Sequence, residues 1–525
     1  MSLAETSVRS AARAGFSRTG RLAPLAVFAG LTGALASAIA VAFALAIDDW
    51  TPGAYIAMPL LALTSVWIAG GAATALIGLA HRPSRPSEPQ PGWSPGGRTA
   101  VLVTLCNEDP EPLAGYLPAL RRSLDRAGLD RAADIVVLSD TNDADKVARE
   151  ASALLPLVRS GAIAYRRRAE NVGRKPGNIA DWFLPHADRF DFVVVLDADS
   201  RMSAGRLRRM IWRMEREPRL GLLQAGIAIL PGESRFGRHQ RLSARLLSPN
   251  FGRGFAAWTG ESGNYWGHNA IMRVAAFRAA LDLPRLGGRA PFGGPVLSHD
   301  FIEAAWIRRA GWAVVLDPDL AGSAEGAPQT LEAFHRRDRR WCQGNLQHLR
   351  LLTEPGLDPL SRFHLASGVI SYLAAPVWLA LVGLVAAGAV PVSGALPFAV
   401  AALVLALPKL CALVSRIRRA RTPLRRRIAL RATAAELALS SLIAPIAMVR
   451  QSASVASVCL GRDCGWKTPG APRRSLPPGL PEVAAGLSIA VPAVAVGGPA
   501  AMWLAPVVLP LVCAPFIVRA LDAPA

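Results

Sequence analysis

The chain has 525 residues, a formal charge of +21 and 51% hydrophobic side chains. That balance is too apolar and too basic for one ordinary soluble domain, so the chain divides into segments that meet different solvents. A charge of this kind also raises nucleic-acid binding, but much of the charge flanks apolar runs where topology explains it, and no base-reading chemistry accompanies it.

Residues 25–47 form an uncharged apolar run and residues 55–80 a second, each long enough to cross a hydrocarbon core of about 30 Å as a helix. The first is too long for the apolar region of a signal peptide and has no convincing cleavage site, so it reads as a membrane anchor. The linker 81–97 carries five prolines. With it, residues 1–97 form an N-terminal anchor.

Residues 98–350 are mixed and charged, the pattern of an α/β domain able to bury its own core. Apolar runs at 100–105, 135–138, 192–196 and 222–229 predict strands of a largely parallel sheet, with helices at 111–127 and 144–155 between them. Apolar character then returns in residues 351–525, with spans expected at 366–390 and 394–414 and two more between 483 and 518. The stretch 429–460 is long and apolar but holds Arg431, Glu436, Pro445, Arg450 and Gln451. A single crossing there would put the basic segment 462–474 outside, so an interfacial or re-entrant helix pair is expected, leaving six spans.

Arginine placement orients the chain. Arg9, Arg13, Arg18 and Arg21 precede the first run, Arg82 and Arg85 follow the second, and 416–427 holds seven arginines, whereas Asp48 and Asp49 occupy the first turnaround. Basic loops stay cytoplasmic, which puts the α/β domain in the cytoplasm. The six cysteines contain no CxxC pair, so neither a disulfide framework nor a zinc site is indicated.

Ligands of a parallel sheet sit beyond the carboxyl ends of its strands. There the first run ends in Asn107, Glu108 and Asp109, the second in Asp140, and the third in Asp197 and Asp199. Each alone is also a common turn or cap. Together they concentrate more negative charge than a fold needs, and the pair Asp197–Asp199 suits a hard divalent cation with attached phosphates. Arg174–Asn178 offers cationic and backbone donors for phosphate, or a solvated turn.

These residues resemble the membrane-embedded processive glycosyltransferases of family 2, and within them the glucosyltransferase H type that makes osmoregulated periplasmic glucans. The resemblance runs from about Arg98 to Pro469 and rests on TLCNEDP (104–110), LSDTND (138–143), GRKPGN (173–178), LDADS (196–200), GHNAIMR (267–273), SHDFIE (298–303) and DRRWCQGNLQH (338–348). It implies a GT-A, Rossmann-like cytoplasmic catalytic domain inserted in a multi-pass transmembrane bundle of the cell inner membrane. It further implies UDP-glucose as donor, Mg²⁺ or Mn²⁺ as cofactor, and a growing glucan, membrane lipids and a periplasmic glucan-processing protein as partners, with no nucleic acid.

By the same resemblance Asn107, Glu108 and Asp140 contact the nucleotide and Lys175 lies near the uridine and phosphates. Asp197 and Asp199 lie at the metal and diphosphate, and Asp300 corresponds to the general base. Where cellulose synthases have Thr-Glu-Asp this chain has Ser298-His299-Asp300, and Asp300 also reads as an N-cap for the helix that follows. Arg340 and Trp341 align with the Gln-X-X-Arg-Trp signature, for diphosphate contact and sugar stacking, while Arg337 replaces its glutamine. Gly267-His268-Asn269 is expected to shape the acceptor wall, and 465–469 (GWKTP) falls where related synthases have a loop that closes over the nucleotide. Inverting displacement of UDP independently requires one base for the acceptor hydroxyl and charge neutralisation for the diphosphate. A cellulose-, chitin- or hyaluronan-type synthase and a lipid-directed transferase are the enzyme rivals. A non-catalytic transporter is the rival of another class, although the chain has no GxxxxGK[ST] loop.

Overall fold

The computed structural model describes residues 18–81, 88–464, 477–497 and 499–525. Two apolar helices come first, α1 (Arg18–Ala44) and α2 (Pro52–Ala80). An alternating layer follows: β1 (Thr99–Leu105), α3 (Glu111–Arg126), β2 (Ala133–Ser139), α4 (Ala144–Arg159), β3 (Ala164–Arg167), α5 (Arg174–His186) and β4 (Phe192–Asp197). It continues with β5 (Arg201–Met202), α6 (Ala204–Arg216), β6 (Leu220–Ala225), β7 (Ala228–Ile229), α7 (Arg235–Thr259), β8 (Ala270–Arg273) and α8 (Val274–Phe277). It closes with α9 (His299–Arg309), β9 (Ala313–Asp317), β10 (Ser323–Glu325) and α10 (Leu331–Gln347). The remainder is helical: α11 (Pro359–Ala386), α12 (Leu396–Arg419), α13 (Pro423–Cys459), α14 (Leu480–Val496), α15 (Pro499–Val512) and α16 (Ala514–Asp522).

The main sheet has the order β3-β2-β1-β4-β8-β6-β9 and is parallel except for β8, which pairs antiparallel with β4 and β6. Alternate residues of β1 and β4 feed two cores. Leu102, Val193 and Val195 pack with Trp182, Phe183 and Phe277, while Val101, Val103, Val194 and Leu196 pack with Leu117, Leu124 and Ile211. Burial on both faces is why these strands read as continuous apolar runs. The α/β architecture expected from the sequence is therefore present, with β1 and β4 in register so that Thr104 lies beside Asp197.

The run 222–229 is not one strand. It splits into β6 in the main sheet and β7 in a second sheet of order β5-β10-β7. A Cβ at Gly226 would lie 2.9 Å from the Asp319 carbonyl oxygen, so the backbone turns there against the loop after β9.

Among the described residues five helices are long and apolar enough to cross a membrane: Ala23–Ala44, Pro52–Ala80, Pro359–Ala386, Leu396–Arg419 and Pro423–Cys459. A sixth candidate is Met502–Val512 with Ala514–Asp522, bent by 55°. The helix pair expected over 429–460 is corrected, because α13 is one continuous helix of 37 residues that carries Pro445 without breaking. Two of its charges, Glu436 and Arg450, have partners. Glu436 pairs with Lys409 at 2.9 Å and accepts from Ser243 Oγ at 3.1 Å, and Arg450 pairs with Glu482 at 2.5 Å. Ile446 packs with Phe236 and Leu331, and Arg339 donates to Ser457 Oγ at 2.9 Å. From Glu436 to Ser457, about 30 Å of helix at 1.5 Å per residue, α13 thus follows helices of the α/β layer.

The turns at Ile47 and Val392 bridge to one another, and Gly388 meets the end of α14 at Val496, so these connections share one end of the bundle. At the other end Asp522 accepts from the Leu331 amide at 2.8 Å, which returns α16 to the α/β layer.

Candidate active site

The site forms where β1, β2 and β4 end. Asp197 is the last residue of β4, and its Oδ1 accepts from Thr104 Oγ1 at 3.1 Å. Lys175, in the first turn of α5, pairs with the same carboxylate and donates to the Gly267 carbonyl at 2.7 Å. That turn is entered through left-handed backbone at Gly173 (φ 69°) and Arg174 (φ 55°). A Cβ at Gly173 would meet Gly177 Cα at 3.1 Å, which explains the glycines of the GRKPGN string. Burial opposes ionisation of Asp197, but the Lys175 ammonium and His268 outweigh it and hold the carboxyl well below its usual range.

Asp199 behaves in the opposite sense. Partial burial of its carboxyl, then repulsion from Asp197, Glu325 and Glu108, raises it to about 6. A site that resists ionisation of its second carboxylate has room for a cation's charge. Among the described residues no cluster of three or more His, Cys, Asp or Glu is arranged to hold a metal alone. The oxygen donors Asp197 and Asp199 nevertheless fit Mg²⁺ or Mn²⁺ completed by water and diphosphate oxygens, the way such ions are commonly bound.

His268 lies between these groups. Its Nε2 is 3.1 Å from Glu325 and its Nδ1 lies 3.2 Å from Ser200 Oγ and 3.1 Å from Asn269 Oδ1. Burial disfavours its charge, yet Asp197 and Glu325 raise its pKa to about 9. Ser200 Oγ in turn accepts from the Asp197 amide at 3.1 Å, so the imidazolium supports the acidic turn from beneath. The neighbouring Asn269 has φ 51° and donates to Ser323 Oγ at 2.9 Å, tying the two sheets together.

At the β2 end Asp140 is held by a fork from Arg168, at 2.7 and 2.9 Å, with both side chains nearly buried. Arg168 also binds Asp181. Asn107, with φ 60°, stitches the β1 loop to the β2 loop: its Nδ2 donates to Asn142 at 2.8 Å and its Oδ1 accepts the Asn142 and Asp143 amides. Glu108 accepts from the Cys106 amide at 3.0 Å. These residues frame one edge of the site.

Asp300 reaches the site from the other side. A Cβ at Gly267 would lie 3.6 Å from Asp300 Oδ2, so the carboxylate adjoins the loop whose carbonyl holds Lys175. The helix begins at His299 with Ser298 as its N-cap residue, which places Asp300 inside the first turn rather than at the cap. Burial raises the Asp300 carboxyl; His299 opposes that shift and Glu303 adds to it. His299 Nδ1 and Glu303 Oε1 are 3.2 Å apart.

The DRRWCQGNLQH string positions this turn. Gln347 Oε1 accepts the Leu297 amide at 3.0 Å, and His348 Nε2 meets the Ser298 carbonyl at 3.0 Å. Burial pushes the His348 imidazole down to about 4, so it is neutral and donates through Nε2. A Cβ at Gly344 would come within 2.3 Å of Ser298 Oγ, so glycine permits the contact. Asp338 accepts from Tyr372 of α11 at 3.1 Å, which fixes α10 to the apolar helices.

Trp341 is 45% exposed, and the Arg337 guanidinium stands 4.5 Å over its ring. The residue that replaces the glutamine of the signature thus braces the indole while leaving part of it open. Burial lowers the Arg340 pKa, and Cys464 is a close electrostatic neighbour of both Arg340 and Arg174. The approach to 465–469 is anchored by Gln343, which donates to Asp463 at 2.7 Å and accepts the Cys464 amide at 2.8 Å. The 465–469 string itself lies outside the described residues. Sequence reasoning missed His268 as a charged group, Arg168 and Glu325; only the string around His268 was visible.

Residues 100–281 match the model of glycosyl transferase family 2, and residues 192–414 match that of glycosyl transferase family group 2. A glucans biosynthesis glucosyltransferase H from Cereibacter sphaeroides is 45% identical over 327 residues, 62% of this chain and 55% of that protein. One from Vibrio cholerae is 41% identical over 339 residues, 63% of this chain and 47% of that protein. The chain thus spans about half the length of the curated relatives it matches. A mannosyltransferase from Pyrobaculum calidifontis, solved with GDP-Man and Mn²⁺, aligns over 77% of this chain and 97% of its own at a TM-score of 0.46 and 17% identity. The chain carries a family 2 glycosyltransferase domain.

Proposed function

We propose that this glycosyltransferase domain transfers glucose from UDP-glucose to a growing glucan, processively and with inversion, to build the backbone of an osmoregulated periplasmic glucan. The observation that carries the reading is the convergence on the Gly267 loop. The Lys175–Asp197 pair holds its carbonyl and the raised carboxyl of Asp300 stands beside it. The names of the relatives support glucose and glucan as donor sugar and product.

In this reading Asn107, Glu108 and the Arg168-held Asp140 receive the nucleoside, and Lys175 and Arg340 contact the phosphates. Asp197 and Asp199 would hold Mg²⁺ or Mn²⁺, which when bound offsets the charge of the departing diphosphate. Asp300 takes the proton of the acceptor hydroxyl, and Glu303 and burial keep its carboxyl basic enough for that task. The exposed part of the Trp341 indole supplies an apolar face for a pyranose. Residues 1–97 form the anchor, 98–350 the catalytic domain and 351–525 the membrane and interfacial helices. The catalytic domain faces the cytoplasm of an inner membrane, α13 lies along the interface beneath it, and the glucan leaves through the adjoining helices.

The purified full chain incubated with labelled UDP-glucose, UDP-GlcNAc, UDP-glucuronate and GDP-mannose tests this reading. UDP-glucose alone should yield polymer, and a chelator should stop it. Polymer from another donor would replace the glucan assignment, and no turnover of any donor would remove the catalytic one.

A further inference from the structure

The turn that joins α12 to α13 carries eight exposed arginines within residues 416–431. The end of α12 favours the first of them, because a helix presents partial negative charge at its C-terminus. The start of α13 does not. Arg425, Arg426 and Arg427 crowd the opening of a helix whose first turn holds no carboxylate, and Arg427 and Arg431 stand four residues apart, where like charges repel. The one carboxylate of α13, Glu436, is buried against Lys409 at 2.9 Å, so it does not offset the patch. Among the described residues none of the eight arginines pairs with a carboxylate.

The α/β layer adds charge to the same place. Arg416 donates to the Arg245 carbonyl of α7, and the Arg245 side chain is itself exposed. Arg253 of α7 donates to Ser415 Oγ at 3.2 Å; burial lowers its pKa and the charge of Arg419 adds to that shift. The rule that orients spans counts basic residues in short loops and not those of a large inserted domain, so topology does not account for Arg245.

The patch begins where the apolar stretch of α12, a helix long enough to cross a membrane, comes to its end. Leu424, Ile428 and Leu430 are 66%, 57% and 50% exposed among its charges. Arginines interleaved with outward leucines suit the boundary between headgroups and acyl chains. A nucleic acid or an acidic protein would meet the charge and leave the leucines in water.

We infer that residues 416–431, with Arg245, dock on anionic phospholipid headgroups of the leaflet that faces the α/β domain, and that Leu424 and Ile428 reach the acyl boundary. The contact between Arg416 and Arg245 sets the side. The inference does not rest on the sugar-transfer reading, and its test reads lipid occupancy rather than catalysis.

Native mass spectrometry of the delipidated full chain in neutral detergent, titrated with phosphatidylglycerol or phosphatidylcholine, tests this surface. Phosphatidylglycerol should add at concentrations where phosphatidylcholine does not. The triple variant Arg425→Ala/Arg426→Ala/Arg427→Ala should bind it about a hundredfold more weakly, from the usual contribution of three basic side chains facing anionic lipid. The corresponding triple lysine variant should bind like the wild type, because it keeps the charge. If the alanine triple fails to fold, Arg245→Ala/Arg418→Ala serves, with a loss of about thirtyfold. Equal uptake of both lipids, or unchanged phosphatidylglycerol affinity in the folded alanine variants, would overturn the proposal. So would a short single-stranded RNA or a polyglutamate that displaces the lipid and is itself lost in the same variants.

Discussion

Replacing His268 with glutamine tests the electrostatic reading of the site. The wild-type imidazole is raised from 6.5 to about 9 against a burial penalty, through Asp197 and Glu325. A shift of that size corresponds to about 3 kcal/mol of preference for the charged form in the folded state, at about 1.4 kcal/mol per pKa unit. Because the folded value is the higher one, this stabilisation is fully present below about 6.5 and is lost as pH rises through about 9. Thermal melts of the purified chain and of His268→Gln from pH 6 to 10 should therefore show a gap that is widest at pH 6 and closes by about pH 10. Mn²⁺ should narrow the gap at neutral pH, because it offsets the same carboxylates. A gap of constant size across that range would refute the reasoning, since loss of packing alone does not titrate.

Four further outcomes follow from the geometry. Asp300→Asn should keep UDP-glucose binding, read by calorimetry, and lose about 10²–10⁴ in turnover, the usual scale for a positioned base. Mn²⁺ affinity in the presence of UDP should rise as pH climbs through about 6, where Asp199 ionises; Asp199→Asn should remove that dependence and the metal-stimulated turnover. Gly344→Ala forces a methyl to within 2.3 Å of Ser298 Oγ; it should cost about 1–3 kcal/mol in a denaturant melt and lower kcat more than KM. Arg168→Ala leaves the buried Asp140 carboxylate unpaired, so the KM for UDP-glucose should rise while a melt shows a loss of about 3–5 kcal/mol.

The sheet was legible where both of its faces are buried, because Val101–Val103 and Val193–Leu196 are apolar without interruption. It was illegible where the pattern depends on distant backbone: β3 is Ala-Tyr-Arg-Arg at an edge, and the 222–229 run breaks because the loop at Asp319 presses on Gly226. The length of α13 was hidden by Arg431, Glu436 and Arg450, charges that suggested a break. Glu436 and Arg450 find partners 27 and 32 residues away in sequence, in Lys409 and Glu482.

In the site, Asp197, Asp199 and Asp140 were visible because strand ends bring carboxylates to one edge. Their cationic counterparts were less so. His268 becomes an imidazolium only beside Asp197 and Glu325, both more than fifty residues away in sequence. Asp300 was visible only through family resemblance, since one aspartate at the start of a helix has many ordinary explanations. The fold changes that by placing it beside Gly267.

Reconstitution of the full chain in sealed vesicles, with the α/β domain outward, tests the central claim most directly. Supplied with tritiated UDP-glucose and Mn²⁺, the wild type should form a labelled polymer that becomes protected from an external glucanase, and Asp300→Asn should form none. Label confined to a single sugar on lipid, or an active Asp300→Asn protein, would contradict the account.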